Sequence, residues 1–145
     1  MSAPLQISTR PALEVAIRIL EAADLPTEDL THAHVEHFSF AGSATQPTGL
    51  VGLEMFGEVA LLRSLVVIPE RRRHGDGKRL LEHAENHARS AGVRSLYLLT
   101  TTAEQFFERH GFVRASREAA PAAIRSTREF AGICPASSAF MSKLL

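Results

Sequence analysis

The feature that most constrains this chain is a long apolar run, residues 58–68, that stops at Pro69 and leads through a basic loop into an amphipathic pattern. The run is too apolar for a strand with one solvated face, so it predicts a buried strand. Beyond the loop, apolar residues recur at helical spacing from Leu80 to Ala88, and Gly92 closes the predicted helix. A buried strand followed by an amphipathic helix indicates a sheet that is covered by helices.

Hydrophobic periodicity in the rest of the chain predicts further strands and helices. The predicted strands lie near residues 5–8, 38–40, 48–56, 58–68, 94–100, from 112 onward, and 139–145. The predicted helices lie near residues 11–25, 27–37, 75–92 and 102–111. The resulting order, β-α-α-β-β-β-α-β-α-β and a final strand, predicts a mixed α/β (α+β) fold.

Length and composition favour one domain, residues 1–145. The chain has 145 residues, 45% of them apolar, which suffices for a single buried core. Sixteen basic residues balance sixteen acidic ones, whereas a nucleic-acid-binding domain is normally strongly basic. Cys134 is the only cysteine, so an intrachain disulfide and a CxxC zinc motif are excluded. We find no secretory leader or membrane span and expect a cytoplasmic protein without membrane or nucleic-acid partners.

The loop between the apolar strand and the helix favours anion binding. Gly75 and Gly77 let the backbone approach a ligand closely, and the next helix presents unpaired N–H groups at its N-terminus. Phosphate groups bind at such helix ends, and the arginines at 71–73 add positive charge. The loop matches neither GxxxxGK[ST] nor the dinucleotide motif GxGxxG. A solvated surface loop is the alternative interpretation of the arginines.

Two spaced motifs resemble the signatures of the GNAT superfamily of N-acetyltransferases. After the Val-x-Pro strand end, Arg72-x-x-Gly75-x-Gly77 is similar to the acetyl-CoA-binding motif of that superfamily. A second motif has the form A-x-x-F-[YF]-x-x-x-G-F, and it is met by Ala103, Phe106, Phe107, Gly111 and Phe112. Both motifs occur in the expected order, which makes a chance match improbable.

The resemblance implies a fold and an activity. The fold would be a mixed, mostly antiparallel sheet of six to seven strands with about four helices, whose fourth and fifth strands splay apart to form a cleft. The activity would be transfer of acetyl from acetyl-CoA to the primary amine of a small molecule, by direct attack in a ternary complex. A main-chain N–H would polarise the thioester carbonyl.

The same resemblance implies the residues that bind the cosubstrate. Main-chain groups of Leu65, Val66 and Val67 would hold the pantetheine and acetyl end. The pyrophosphate would be held by the main-chain amides of Arg73, His74, Gly75, Asp76, Gly77 and Lys78, and Arg72 would add positive charge for the phosphates. Thr100 occupies the position of a usual asparagine that contacts pantetheine. Phe107 replaces a common tyrosine, whose hydroxyl protonates the leaving thiolate, and Asp76 introduces a carboxylate that would repel a pyrophosphate unless it points away.

Three further residues are candidates for the chemistry itself. Glu54 and Glu58 flank the predicted strand hairpin, and either carboxylate can act as a general base, directly or through water. Ordinary polar positions on strands are the alternative interpretation. Ser64 is a polar residue in an apolar strand, so its hydroxyl either faces the cleft or is satisfied by a neighbour.

The C-terminal insert, residues 115–138, is longer than the usual connection between the last two strands of the superfamily. It predicts a helix, and its sequence resembles the acetyltransferases of bacterial arsenic-resistance operons, which are themselves similar to phosphinothricin acetyltransferases. That resemblance implies an acceptor that is an amino acid analogue or an organoarsenical amine, with Arg125 or Arg128 on its carboxylate or oxyanion. We interpret Cys134 as a buried cysteine rather than an arsenic ligand.

Histidine-rich segments at 31–37 and 82–87 have the spacing of metal ligands but incomplete ligand sets, so we predict no metal. An exposed last strand makes a homodimer plausible. Charge is segregated: residues 1–62 carry two basic and eight acidic residues, net −6, whereas residues 63–94 carry eight and four, net +4. The basic part coincides with the glycine-containing loop, and the acidic part favours a cationic amine.

Two other functions compete with the enzyme hypothesis. A non-catalytic acyl-CoA sensor is motivated by Phe107 and by the absence of an obvious general base. A phosphate-binding interaction domain unrelated to CoA would share the basic loop. The enzyme alone releases a free thiol from acetyl-CoA in the presence of an amine.

Overall fold

A twisted seven-stranded sheet forms the centre of the molecule. The computed structural model describes residues 5–135 and 137–145. The strands are β1 (Ile7–Thr9), β2 (Phe38–Gly42), β3 (Pro47–Phe56), β4 (Val59–Val67), β5 (Ser95–Thr100), β6 (Val113–Arg114) and β7 (Ala139–Leu144). Their order across the sheet is β1-β2-β3-β4-β5-β7-β6, and every neighbouring pair is antiparallel except the parallel pair β4–β5. The prediction of a mixed, mostly antiparallel sheet of six to seven strands is confirmed.

Helices cover both faces of the sheet. They are α1 (Leu13–Ala22), α2 (His32–Val35), α3 (Asp76–Ser90), α4 (Glu104–Arg109) and α5 (Ala122–Arg125). The larger core lies where α3 and α4 pack on one face, and it includes Leu62, Leu80 and Phe107. The opposite face carries α1 and α2 over Phe38 and α5 farther along the sheet. No described helix combines the length and apolar character needed to cross a membrane.

The strands β4 and β5 separate after a short stretch of pairing. Only Val59, Ala60 and Leu61 have register partners on β5, at Ser95, Leu96 and Tyr97. From Leu62 onward β4 pairs with β3 alone. The chain therefore has the splayed β4/β5 cleft that its sequence predicts.

The C-terminal region differs from the sequence prediction in two ways. The helix expected in the insert is only the single turn α5, followed by an irregular turn over Glu129–Ile133. The last strand, β7, lies between β5 and β6 rather than at an exposed edge of the sheet. The premise of the predicted homodimer is therefore wrong, because β6 already pairs with β7.

The packing of β2 against β3 yields a test of the core. A Cβ atom placed on Gly52 would lie 2.2 Å from Cε1 of Phe38, its register partner on β2. We expect Gly52→Ala to lower the free energy of unfolding by about 1–3 kcal/mol, because the buried ring has no room to move. Urea unfolding followed by circular dichroism measures the change.

The matched control is Phe38→Leu, which removes the crowding atoms. The double variant is expected to lose less stability than the sum of the two single variants, since the smaller side chain leaves space for the new methyl group. Strictly additive losses would contradict this account of the contact.

Candidate active site

A cleft opens where β4 and β5 diverge. Its volume is about 790 Å³, and we call it the main cleft. One wall is the second half of β4, from Leu62 to Val67, and the other is the end of β5 with the loop that follows it. Phe106 and Phe107 of α4 close one side, and the segment between α1 and α2 closes another. The predicted residues Ser64, Leu65, Val66, Val67, Arg72, Gly77, Thr100 and Phe107 all line this cleft.

A bulge in β4 faces the main cleft. Gly52 of β3 pairs with Arg63 and Leu50 pairs with Val66, so Ser64 and Leu65 together oppose one residue of β3. Ser64 adopts a φ of +60°, which is uncommon for a residue other than glycine. Bulges leave main-chain groups outside the regular ladder and re-aim the strand. The bulge thus presents main-chain N–H and C=O groups of β4 to the cleft.

The glycine loop, residues 71–78, lies at the end of β4. Gly75 caps α3 with a left-handed φ of +81°, and no side chain caps this helix. The first helical hydrogen bond of α3 runs from the N–H of Arg79 to Gly75, so the amides of the first turn are free of helical partners. A Cβ on Gly77 would stand 3.4 Å from Phe106, which shows how closely α4 packs on this loop. The arrangement can hold an anion.

Asp76 does not present its charge to an anion at this loop. Its side chain is 1% exposed and accepts two hydrogen bonds from Arg71, at 2.9 and 3.0 Å. The hydrogen bond from Arg71 holds the pKa of the Asp76 carboxyl below its usual value, although burial opposes the shift. Asp76 therefore offers its main-chain N–H, while Arg71 is occupied in neutralising it. Arg72 instead bonds the Val67 carbonyl at 3.1 Å and lines the main cleft.

A buried ion cluster surrounds Arg63, the residue before the bulge. Its guanidinium is fully buried and donates to Asp29 through both terminal nitrogens, at 2.5 and 2.9 Å. Glu54 lies 3.0 Å from one terminal nitrogen and Glu129 lies 3.1 Å from the other. The remaining Nε–H donates to the hydroxyl of Ser64 at 3.2 Å. Four of the five N–H groups of Arg63 thus have hydrogen-bond acceptors, and Glu129 adds a further ion pair at Nη2.

Within this Arg63 cluster, the pKa values of the carboxyl groups of Glu129 and Asp29 are shifted in opposite directions. Desolvation raises the pKa of Glu129 to about 7, against the opposing effect of Arg63. Burial also acts on Asp29, but hydrogen bonding and the charge of Arg63 outweigh it and lower its pKa. Asp29 and Arg63 thus form a firmly ionised pair, since the pKa of Arg63 is also raised. The pair holds the segment after α1 against β4.

His34 stands beside this cluster and raises the question of a metal. One ligand atom each from Asp29, His34 and Glu54 lies within 4.8 Å of the others. However, Nδ1 of His34 accepts the Thr31 N–H at 3.2 Å, which places the ring proton on Nε2, the atom that faces Glu54 at 3.6 Å. Both carboxylates already accept from Arg63. The donor set is that of an ion-pair cluster rather than a metal site.

The predicted general bases do not meet in the main cleft. Glu58 lies before β4, at the end where β4 and β5 are still paired, and its side chain is 77% exposed beside Arg94. This position corrects the expectation for Glu58, because the cleft opens at the other end of β4. Glu54 belongs to the Arg63 cluster and borders a second cavity of about 220 Å³. Ser64 lines the main cleft, but its hydroxyl accepts from Arg63.

Thr100 and Phe107, two of the predicted cofactor-binding residues, line the main cleft and also hold α4 in place. The Thr100 hydroxyl accepts the N–H of Ala103, so it secures the turn into α4. Phe107 is buried and packs edge-on against Phe106 and Phe112, which supports α4 on the sheet. Its ring carries no hydroxyl, so this position supplies a wall and no proton.

The insert contributes to the main cleft through residues other than its predicted substrate-binding arginines. Ile133, Cys134 and Ser138 line it, whereas the predicted Arg128 lines the second cavity and Arg125 lines neither. The expectation that these arginines meet a substrate in the cleft is therefore not supported by their positions. Burial raises the pKa of Cys134 to about 12, so its thiol is protonated at neutral pH.

The sequence analysis did not predict the role of Arg63, the partners of Arg63 or Ser138. Of these, Arg63 alone had a signal in the sequence. Arg63 interrupts an otherwise apolar strand, and a charge in such a place demands buried partners. Its partners Asp29 and Glu129 come from remote segments, and nothing local marks them. Ser138 is buried and lines the main cleft, and its hydroxyl has no hydrogen-bond partner within residues 5–135 and 137–145.

Comparison with known proteins gives the family. A model described as "Acetyltransferase (GNAT) domain" matches residues 34–114, which are 81 of the 145 residues. The amino-acid acetyltransferase of Ralstonia nicotianae is 43% identical over 68 residues, which cover 47% of this chain and 14% of that protein. The corresponding protein of Pseudomonas syringae pv. tomato is 41% identical over 69 residues, 48% of this chain and 16% of its own length. The chain thus matches a small part of much longer relatives.

Solved structures share the fold over the whole chain. N-acetylglutamate synthase from Neisseria gonorrhoeae, complexed with coenzyme A and N-acetyl-glutamate, is 24% identical with a TM-score of 0.82, and the match covers 100% of this chain and 36% of that one. The Rv2747 protein of Mycobacterium tuberculosis, in complex with CoA, is 18% identical with a TM-score of 0.75 over 97% of this chain and 99% of that chain. With the family model covering more than half of its length, the chain belongs to the GNAT acetyltransferase family.

Proposed function

We propose that this protein is an N-acetyltransferase that moves acetyl from acetyl-CoA to the primary amine of a small molecule. The observation that carries the proposal is the continuity of the main cleft with the glycine loop. The cleft exposes the bulged strand β4 at its centre, and Arg72 and Gly77 of the loop line its end. An elongated thioester with several phosphate charges matches this combination of an apolar slot and a basic, amide-rich end.

The cosubstrate would be divided between the two parts. Main-chain groups of Leu65, Val66 and Val67 would pair with the amide-containing pantetheine, as a neighbouring strand would. The amides of residues 73–78 would bind the pyrophosphate at the N-terminus of α3. Arg72 lines the cleft between the two and adds charge, and Arg71 screens Asp76. The family membership and the coenzyme A complexes of structural relatives support this assignment.

The chemistry needs few side chains. The neutral amine nitrogen attacks the thioester carbon, the carbonyl π electrons move to oxygen, and a main-chain N–H at the Ser64 bulge stabilises that oxygen. The tetrahedral intermediate collapses as the C–S bond breaks, and the amine proton passes to solvent. CoA leaves as a thiolate, which is feasible without a phenol at Phe107 because a thiol has a pKa of about 8.5. A neutral amine is the reactive form.

Two resemblances indicate the chemical class of the acceptor. Relatives are named amino-acid acetyltransferases, which favours an amino acid or its analogue. The resemblance of the insert to arsenic-resistance acetyltransferases adds organoarsenical amines and phosphinothricin-like compounds. All of these share a primary amine on a small molecule. These candidate acceptors differ in the charge on the groups near their amine.

Binding of acetyl-CoA separates this function from an unrelated phosphate-binding domain. At about 100 times its dissociation constant, acetyl-CoA is expected to add about 2.7 kcal/mol to the free energy of unfolding, because it binds only the folded chain. Thermal unfolding with and without the ligand measures the effect, with inorganic phosphate as the control. An unchanged unfolding temperature with acetyl-CoA would exclude the cleft as its site.

Turnover separates an enzyme from an acyl-CoA sensor. With a panel of amino acids, amino acid amides, arylamines, organoarsenical amines and polyamines, we expect thiol release from acetyl-CoA that depends on both the protein and the amine. The thiol is measured colorimetrically and the acetylated product by mass spectrometry. Binding of acetyl-CoA without release for any amine would favour the sensor.

The pairing of Arg71 with Asp76 makes a prediction about affinity for the cosubstrate. Arg71→Gln is expected to weaken acetyl-CoA binding about tenfold, equivalent to about 1.4 kcal/mol, because the buried Asp76 carboxylate then keeps only the more distant Arg79, at 3.9 Å, to screen it at the pyrophosphate end. Adding Asp76→Asn is expected to restore binding, since the repelling charge is gone. Calorimetric titration of the two single variants and the double variant tests both statements. A double variant as weak as Arg71→Gln would mean that Arg71 contacts the cosubstrate itself.

A further inference from the structure

The charges along the main cleft are distributed unevenly. Among its described lining residues the cationic side chains are Arg63 and Arg72, and the carboxylates are Asp24 and Glu28. Arg72 bonds the carbonyl of Val67 at the entrance to the glycine loop, so it belongs to the phosphate end. At the other end, Arg63 is therefore the cationic side chain among the described lining residues, whereas Arg117 lies behind the wall and donates to the main-chain carbonyl of Ser138 at 2.7 Å.

Arg63 is already surrounded by acceptors. Four of its N–H groups donate to Asp29, Glu54 and Ser64, with Asp29 accepting two of these bonds, and a carboxylate oxygen of Glu129 lies 3.1 Å from Nη2. Its side chain is fully buried. A substrate carboxylate could bind only by displacing one of these carboxylates, which would leave a buried charge without its partner.

The rim of the same cleft repels anions. Asp24 and Glu28 come from the segment between α1 and α2, and both are exposed where they line the cleft. The arginines of the insert do not offset them, because Arg125 and Arg128 lie outside the main cleft. Carboxylates near an entering anion raise the energy of its approach, whereas they attract a cation.

The buried polar group without a partner is neutral. Ser138 lines the main cleft, and its hydroxyl is shielded from solvent and has no hydrogen-bond partner among the described residues. Ser138 directly precedes Ala139, whose register partner Thr100 ends β5 in the cleft. A hydroxyl can donate to a carbonyl or hydroxyl oxygen and accept from an amide or amine, so a ligand with a neutral polar group would satisfy it.

We infer that the acceptor is a primary amine that carries no free carboxylate, and that a neutral polar group near its amine bonds the Ser138 hydroxyl. The inference rests on the acetyl transfer proposed above and narrows its substrate class. Amino acid amides and arylamines with neutral polar substituents fit it, whereas free amino acids do not. An amino acid analogue fits when its carboxyl is masked.

Matched acceptor pairs test the class directly. Phenylalaninamide is compared with phenylalanine, glycinamide with glycine, and 3-aminobenzamide with 3-aminobenzoate, with rates expressed per concentration of neutral amine. We expect kcat/KM of the amide member of each pair to exceed that of the acid by about tenfold or more, a difference of about 1.4 kcal/mol. Equal values, or a preference for the acids, would overturn the inference while leaving the acetyl transfer intact.

Variants assign the preference to the named residues. Asp24→Asn combined with Glu28→Gln is expected to reduce the preference for amides several-fold by improving kcat/KM of the acids. Ser138→Ala is expected to lower kcat/KM for the amides several-fold while the dissociation constant of acetyl-CoA stays unchanged. Ser126→Ala is the matched control, since the Ser126 hydroxyl bonds the Ala122 carbonyl outside the main cleft. An unaltered preference in both cleft variants would overturn the assignment.

These measurements also distinguish a failure of the proposed acetyl transfer from a failure of the proposed acceptor class. Absence of thiol release with every amine, despite stabilisation by acetyl-CoA, would refute the acetyl transfer and the acceptor class together. Thiol release with acids and amides at equal efficiency would refute the acceptor class alone.

Discussion

Arg63 joins parts of the chain that are distant in sequence. Its guanidinium forms ion pairs with Asp29 from the segment after α1, Glu54 from β3 and Glu129 from the insert. Three separate segments are thereby fixed to β4 at the residue that precedes the bulge. Ion pairs of this kind contribute less to stability than to geometry, because desolvation offsets much of their attraction, whereas loss of one partner is severe. The shape of the main cleft depends on all of these contacts.

The two ends of the main cleft differ in the charge they tolerate. At the glycine loop, free amides and Arg72 favour an anion, and Arg71 pairs with Asp76, the carboxylate within the loop. At the other end the cation is already neutralised by its neighbours. Polarity along the cleft thus orients an asymmetric cosubstrate before any specific contact forms.

The sequence predicted those parts of the molecule whose causes are local. The apolar run of β4, the glycine at the start of α3 and the aromatic spacing of α4 each depend on neighbouring residues, so periodicity and motif spacing found them. The bulge at Ser64 was not predicted, because it arises from the register between β3 and β4. The partners of Arg63 were missed for the same reason: side chains separated by 34 residues meet only after the sheet has formed. Glu58 was misplaced because sequence order does not reveal which end of β4 opens.

The insert joins two separate tasks in one connection. Glu129 is held outside the main cleft by Arg63, while Ile133, Cys134 and Ser138, only a few residues later, form its wall. Because Glu129 attaches the insert to Arg63 outside the cleft, a substitution at a wall residue such as Ile133 does not weaken that attachment. The wall residues can therefore vary. The glycine loop and α3 belong to a different part of the chain and do not depend on such changes. Divergence of the acceptor pocket can therefore proceed within a fixed scaffold, one wall residue at a time, with the cosubstrate end inherited unchanged.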